Sequence, residues 1–201
     1  MPPVARFAEV DFSLHEVSRL TPALAATLGQ GFRCKRGEFG TFWRRGRIVR
    51  EEQALISRCW IIESEGYLAG YITLLTDKLE LEQPPLASEG VQYRTMPAVK
   101  IGLLAADGRA RGAGRRLVEW ALEYAAVELV PKVGVRFMTV DAFYDLDPDS
   151  AGVYYDASGF YARLGFNFVN PDEPLPPQQS YRTMYFDLKP LVEALQETAA
   201  S

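Results

Sequence analysis

Histidine and cysteine are nearly missing from this chain, which has one His, His15, and two Cys, Cys34 and Cys59, among 201 residues. A single imidazole argues against a histidine-based zinc site and against a His-centred catalytic triad, so no metal is expected. Two cysteines make no disulfide framework, which fits a reduced, cytoplasmic protein. Long apolar runs are also lacking; none approaches the ~20 residues that cross a bilayer. The N-terminal MPPVARFAEVDF has no charged-then-apolar signal, so neither export nor a membrane partner is expected. No strong charge of one sign appears either. A net charge of −4 gives the molecule as a whole no pull on nucleic acid.

What remains is an ordinary globular composition, 48% hydrophobic and 24% charged, enough for one domain spanning 1–201 with a real core. Alternation over Arg6 to Phe12 predicts a first strand. Ser13 and Glu16 have capping-box spacing and predict a helix, interrupted or restarted at Pro22 with Thr21 as its cap. Phe39 to Ser57 reads as helical. Cys59 to Glu63 and Tyr67 to Thr76 read as a hairpin around Ser64-Glu65-Gly66. Glu82 to Pro97, with Pro84 and Pro85, reads as a linking loop. Then come strand, helix, strand (Val135 to Ala142), helix and strand, a proline-bearing loop (Asn170 to Ser180), a last strand (Arg182 to Leu188) and a helix (Pro190 to Thr198). This order predicts an α/β fold with a mixed sheet and helices on both faces.

The most informative stretch is Arg109-Ala110-Arg111-Gly112-Ala113-Gly114-Arg115-Arg116. It follows the apolar run Ala98 to Ala106, read as a strand, and opens an amphipathic helix. Glycines let a backbone approach a ligand closely, and free N–H groups of a first helical turn favour anions. Four arginines add cationic charge to the positive end of the helix dipole. The expected ligand is a pyrophosphate. A P-loop is excluded because the chain has no G-x-x-x-x-G-K-[ST]. A dinucleotide fingerprint is disfavoured because its third glycine is replaced by Leu117 and the loop lies past mid-chain.

Downstream, Ala157-Ser158-Gly159-Phe160-Tyr161-Ala162-Arg163-Leu164-Gly165-Phe166 reads as a helix stopped by Gly165 and followed by a strand. Strand, R-x-x-G-x-G, helix, second strand and A-x-x-F-Y-x-x-x-G-F together resemble the acetyl-CoA-binding half of the GNAT N-acetyltransferase superfamily, over roughly Val99 to Leu188. The resemblance implies a largely antiparallel central sheet flanked by helices, with a splayed parallel strand pair. It also implies a substrate-side half over 1–97, an acetyl-CoA-binding half over 98–188 and a C-terminal helix and tail over 189–201.

The same resemblance assigns roles. The pantetheine arm is expected along Ile101-Gly102-Leu103-Leu104-Ala105, with the N–H of Leu103 or Leu104 stabilising the oxyanion. The amides from Arg111 through Gly112, Ala113, Gly114 and Arg115 to Arg116 are expected to cradle the pyrophosphate. Arg109 and Arg111 are placed at the loop rim, and one of Arg115 and Arg116 on phosphate. Tyr161 occupies the position of the acid that protonates the leaving thiolate. The strand before the loop lacks the glutamate of many relatives, which leaves Asp141 as the best-placed candidate base, with Tyr185 or water as others. Tyr154 stands where relatives often carry Asn to hold pantetheine.

The expected reaction is transfer of an acetyl group from acetyl-CoA to a primary amine by direct attack. Arg33, Lys35, Arg36, Arg44, Arg45, Arg47 and Arg50 face only Glu38 over one stretch, with Phe32, Phe39, Phe42 and Trp43 interleaved. Such a run is usually a solvated helix face, and it also fits a nucleic-acid partner. It loosely resembles GNAT toxins that act on charged tRNA, which makes aminoacyl-tRNA an alternative substrate. A second alternative is an acetyl-CoA-binding regulator without turnover. The strand Arg182 to Leu188 is a candidate edge for a homodimer.

Overall fold

The computed structural model describes residues 6–81, 86–146 and 154–199. Its strands are β1 (Ser18–Arg19), β2 (Arg58–Ser64), β3 (Tyr67–Glu80), β4 (Thr95–Ala106), β5 (Phe137–Phe143), β6 (Asn167–Phe168) and β7 (Tyr181–Asp187). Its helices are α1 (Pro22–Thr27), α2 (Gly37–Arg44), α3 (Arg47–Gln53), α4 (Ala113–Tyr124), α5 (Ser158–Ala162) and α6 (Lys189–Ala199). The strands form one sheet in the order β1-β2-β3-β4-β5-β7-β6. It is mostly antiparallel, with β4 and β5 as the parallel pair. Contacts group the chain into two compact units, 1–75 with 101–121 and 76–100 with 122–201; the long strands β3 and β4 run through both.

The first unit is built on the β2–β3 hairpin, paired from Arg58↔Leu74 to Ser64↔Tyr67. The turn falls at Glu65-Gly66, as the sequence predicts. β2 is buried almost throughout because it has neighbours on both sides and packing on both faces. Thr21 caps α1 by accepting the Leu24 N–H, and Pro22 fills the first helical position. The core gathers Leu20, Leu28, Phe32, Trp43, Ile48, Cys59, Ile61, Leu68 and Tyr71. Its polar edges are satisfied: Trp43 Nε1 donates to the Leu28 carbonyl at 3.1 Å, and Tyr71 Oη donates to that of Phe39 at 3.0 Å. Glu52 accepts from Cys59 N and from the Arg19 guanidinium, tying α3 to β2 and β1. Cys59 is fully buried core.

Three expectations for this region change. Arg6 to Phe12 is turns over 6–9 and irregular chain over 10–12, not a strand, and Phe7 sits at φ 65. Phe7 and Phe12 instead fold onto each other edge to face, 5.7 Å apart, and both are buried. No helix follows Ser13. Asp11 Oδ1 accepts the Ser13 N–H in a local turn, and Leu14 is 90% exposed, so a helix here has little apolar surface to bury. The predicted helix over Phe39 to Ser57 is two helices, split at Gly46 in the left-handed region.

In the second unit β5 pairs with β7 from Phe137↔Asp187 to Phe143↔Tyr181, and β7 pairs with β6 at Asn167↔Tyr185 and Phe168↔Met184. Strand β7 therefore has β5 along its full length on one side and β6 at Met184 and Tyr185 alone on the other. The linking loop is shorter than predicted, since β4 starts at Thr95 and a single 3₁₀ turn spans Ala87–Glu89. Pro84 and Pro85 lie outside the described residues. Leu79, Leu86, Met96, Ala98 and Phe137 form a local core beneath that turn. At its rim Arg136 grips both oxygens of Asp187 and both of Glu89, and Lys189 adds a third cationic contact to Glu89.

The hydrogen bonds from Arg136 and Lys189 hold the Glu89 carboxyl down at about 2 from its ordinary 4.5. A depressed carboxylate stabilises the fold fully above the unfolded value and loses that contribution as pH falls through the folded one. The stability gap between wild type and Glu89→Gln is therefore expected to be constant above about pH 5 and to close toward pH 2. Denaturant unfolding across that range measures it, and a gap independent of pH contradicts the assignment.

Candidate functional site

The glycine loop lies wholly in the first unit. Strand β4 ends at Ala106, the chain turns over Asp107 to Gly112, and α4 begins at Ala113. Gly112 has φ 92, a conformation that penalises any Cβ. The helix anchors itself through Ala113, Leu117, Val118 and Ala121, all fully buried. Ala113 N donates to the Ala110 carbonyl and Arg116 N to that of Gly112. The amides of Arg111, Gly112, Gly114 and Arg115 find no acceptor among the described residues. Four free donors at the positive end of a helix are a ready anion cradle.

Gly114 differs from Gly112 in that neither its backbone angle nor its surroundings require glycine. A Cβ added there meets only the Ala106 Cβ at 3.7 Å, an ordinary contact. The fold accommodates a side chain at 114. Gly112→Ala is expected to cost ~1–2 kcal/mol through its backbone angle. Gly114→Ala is expected to leave stability unchanged or raise it by up to ~1 kcal/mol, because alanine is the better helix former. Denaturant unfolding of the two variants separates the roles; equal losses refute the distinction.

The arginines divide as well. Arg109, expected at the rim, is turned inward: its guanidinium bonds both oxygens of Asp107 and the Gly31 carbonyl. Arg115 pairs with Glu119 one turn on, at 2.7 Å. Arg116 donates to the His15 carbonyl at 3.0 Å, which ties the loop's helix to the N-terminal turns. Arg111 is exposed and makes no hydrogen bond or ion pair among the described residues.

On the strand before the loop, Ile101 is core at 2% exposure, and Leu103 packs partly against the first unit's core. The Leu103 N–H donates to Thr73 Oγ1 at 2.8 Å. Neighbouring amides along a strand point to opposite edges, so the Leu104 N–H faces away from β3. Of the two oxyanion candidates, Leu104 is thus the one not committed to Thr73. A Cβ on Gly102 would come within 2.7 Å of the Leu75 side chain and 3.0 Å of Thr73 Oγ1, so that glycine belongs to strand packing.

Tyr161 and Asp141 lie in the second unit. Helix α5 places Tyr161 between Phe160 and Phe166, with ring centroids 5.0 Å and 5.6 Å away, and Gly165 ends the turn at φ 89. The phenol is 6% exposed. Burial first, and the nearby Tyr155 second, push its pKa well above the ordinary range, so it stays protonated and able to donate. Tyr154 is stacked on Tyr144 with centroids 5.7 Å apart.

Asp141 is more committed than its role as a candidate base allows. Oδ2 is paired with Lys100 Nζ at 2.5 Å and Oδ1 accepts from Thr183 Oγ1 at 3.0 Å. It serves as a tie across β4, β5 and β7. Asp77 on β3, which the sequence reading passed over, accepts from Thr139 Oγ1. Its other oxygen accepts no hydrogen bond among the described residues, and no ion pair there holds it. Alternation along β3 marks Asp77 as a polar position, but only strand pairing shows which carboxylate is left open.

The basic run is displayed on α2, α3 and the segment before them. Arg33, Lys35, Arg44, Arg45, Arg47 and Arg50 are exposed. The interleaved aromatics are not: Phe32 and Trp43 are core, and Phe39 and Phe42 lie under the guanidinium groups of Arg36 and Arg47. The face offers charge and no free stacking surface. Among the described residues no group of three or more metal-ligating side chains occurs, and no helix is long and apolar enough to cross a membrane.

The sheet order and the parallel pair are those of the GNAT N-acetyltransferase fold, and the chain is similar in structure to toxin acetyltransferases of that fold. The likeness is structural, since no family model matches the chain and no curated protein matches it. AtaT complexed with acetyl-methionyl-tRNAfMet is similar at TM-score 0.66 and 25% identity, over 90% of this chain and 98% of that one. AtaTR bound with AcCoA is similar at TM-score 0.62 and 25% identity, over 90% and 97%. A tyrosine-to-phenylalanine mutant of KacT has TM-score 0.65 and 23% identity, over 90% and 99%.

Proposed function

We propose that this chain is an acetyl-CoA-dependent N-acetyltransferase that passes an acetyl group to a primary amine by direct attack in a ternary complex. The observation that carries the reading is the cluster of four unpaired amides around Gly112 and Gly114, with a glycine at 114 that the fold itself does not require. A pyrophosphate matches those donors, and Arg111, with Arg116 or Arg115, adds charge to them. The structure of AtaTR bound with AcCoA supports the choice of cosubstrate.

In this reading the amine nitrogen attacks the thioester carbonyl, forming an N–C bond and an oxyanion that the Leu104 N–H receives. The C–S bond then breaks, and the thiolate takes the proton of Tyr161. The amine's own proton goes to Asp77, whose open oxygen suits the task better than the ion-paired Asp141. Tyr161→Phe is expected to lower turnover by about 10²–10⁴-fold with coenzyme A affinity nearly unchanged. Asp77→Asn is expected to lower kcat/KM by a similar order. Free-thiol release with a panel of amines reads both. An undiminished rate removes the residue concerned, and cofactor binding without turnover on any amine favours a regulator.

A second reading is specific enough to test. AtaT was captured with acetyl-methionyl-tRNAfMet, and this chain exposes six cations between Arg33 and Arg50. If the amine is that of an aminoacyl-tRNA, reversing Arg44, Arg45 and Arg47 to glutamate is expected to abolish acetylation of charged tRNA and to spare small amines. Steep loss of activity with added salt accompanies that outcome.

A further inference from the structure

We propose that Asp107 and Arg109 form a brace that joins the glycine loop to the segment 29–34, so that coenzyme A on the loop also orders the segment from which the basic run departs. The inference rests on the cofactor reading above and gives two loop residues a positioning role within it.

The brace is built on a carboxylate with no exposed side-chain surface. Asp107 Oδ1 accepts from Arg109 N at 3.0 Å and Arg109 Nε at 2.8 Å. Oδ2 accepts from Arg33 N at 2.9 Å and Arg109 Nη2 at 2.7 Å. Two of the four donors are backbone amides, one on each segment. The link is then doubled. Arg109 Nη2 continues to the Gly31 carbonyl at 2.7 Å, and Gly108 N donates to the Arg33 carbonyl at 2.8 Å. Arg33 is therefore held by both its amide and its carbonyl, and Cys34 bridges to Asp107 as an isolated β-pair. Asp107 is itself rooted in the sheet, with its amide donating to the Ala69 carbonyl and its carbonyl accepting the Ala110 N–H.

Burial pushes the Asp107 carboxyl up, but the hydrogen bonds from Arg109 and from the Arg33 amide outweigh it and hold it below the usual range. The carboxylate is thus ionised and fully engaged. Its geometry also explains why the arginine that opens the loop motif faces the protein: the guanidinium fork fits a carboxylate and a carbonyl together, which an ammonium cannot span. Fixing the loop by its amides restrains Asp107 and Arg109, and those restrain Gly31 and Arg33. The coupling is reciprocal by linkage, so a partner that orders 29–36 tightens coenzyme A.

Backbone amide hydrogen exchange of the full chain, with and without saturating coenzyme A, tests this. In wild type, coenzyme A is expected to slow exchange over 109–116 and over 29–36. In Arg109→Gln it is expected to slow 109–116 alone, with 29–36 exchanging as in the free protein. Arg109→Lys, which keeps the charge and loses the fork, serves if the first variant does not fold, and the same loss of protection over 29–36 is expected. Protection of the loop without 29–36 in wild type, or protection of both segments in the variant, overturns the brace. Absence of coenzyme A binding by calorimetry strikes the cofactor reading itself and takes the coupling with it.

Discussion

The structure turns on backbone amides that the protein leaves without partners. A helix start ordinarily leaves four N–H groups to water or to a cap. Here the first turn of α4 has no side-chain cap among the described residues, and a glycine in the left-handed region precedes it. The helix tolerates the uncapped end because Ala113, Leu117, Val118 and Ala121 bury its opposite face. Packing at the back secures a polar, unsatisfied front, which is what the proposed diphosphate site requires.

The charged residues of the two units fall into two kinds. Asp107 with Arg109, Glu52 with Arg19, and Arg136 with Glu89 and Asp187 are satisfied networks that join elements distant in the chain. Arg111, the open oxygen of Asp77 and the cations of α2 and α3 have few or no such partners. The first kind accounts for shape. The second kind holds the groups that remain available to a ligand or substrate.

Much of the layout was legible from local rules. The Thr21-Pro22 helix start, the hairpin at Glu65-Gly66, the strand into Gly112 and the stop at Gly165 each rest on a turn or cap residue with one dominant conformation. What misled was patterning without such a residue. Arg6 to Phe12 alternates like a strand, yet Phe7 and Phe12 bury themselves by folding together. Ser13 and Glu16 are spaced as a capping box, but Asp11 captures the Ser13 amide. The glycine turn at Gly112 and the buried Tyr161 ahead of the stop at Gly165 are placed by their motif spacing. The inward turn of Arg109 and the difference between Asp77 and Asp141 are not, because each depends on partners 41 to 78 positions away.

The sheet ends in β1 on one margin and β6 on the other, each two residues long. Very short edge strands are one way in which sheets avoid uncontrolled stacking of copies. A contact with a second molecule that is built from side chains on the helical and loop surfaces leaves the strand ladder alone. Such a contact can be altered one residue at a time without disturbing the ladder that carries the fold.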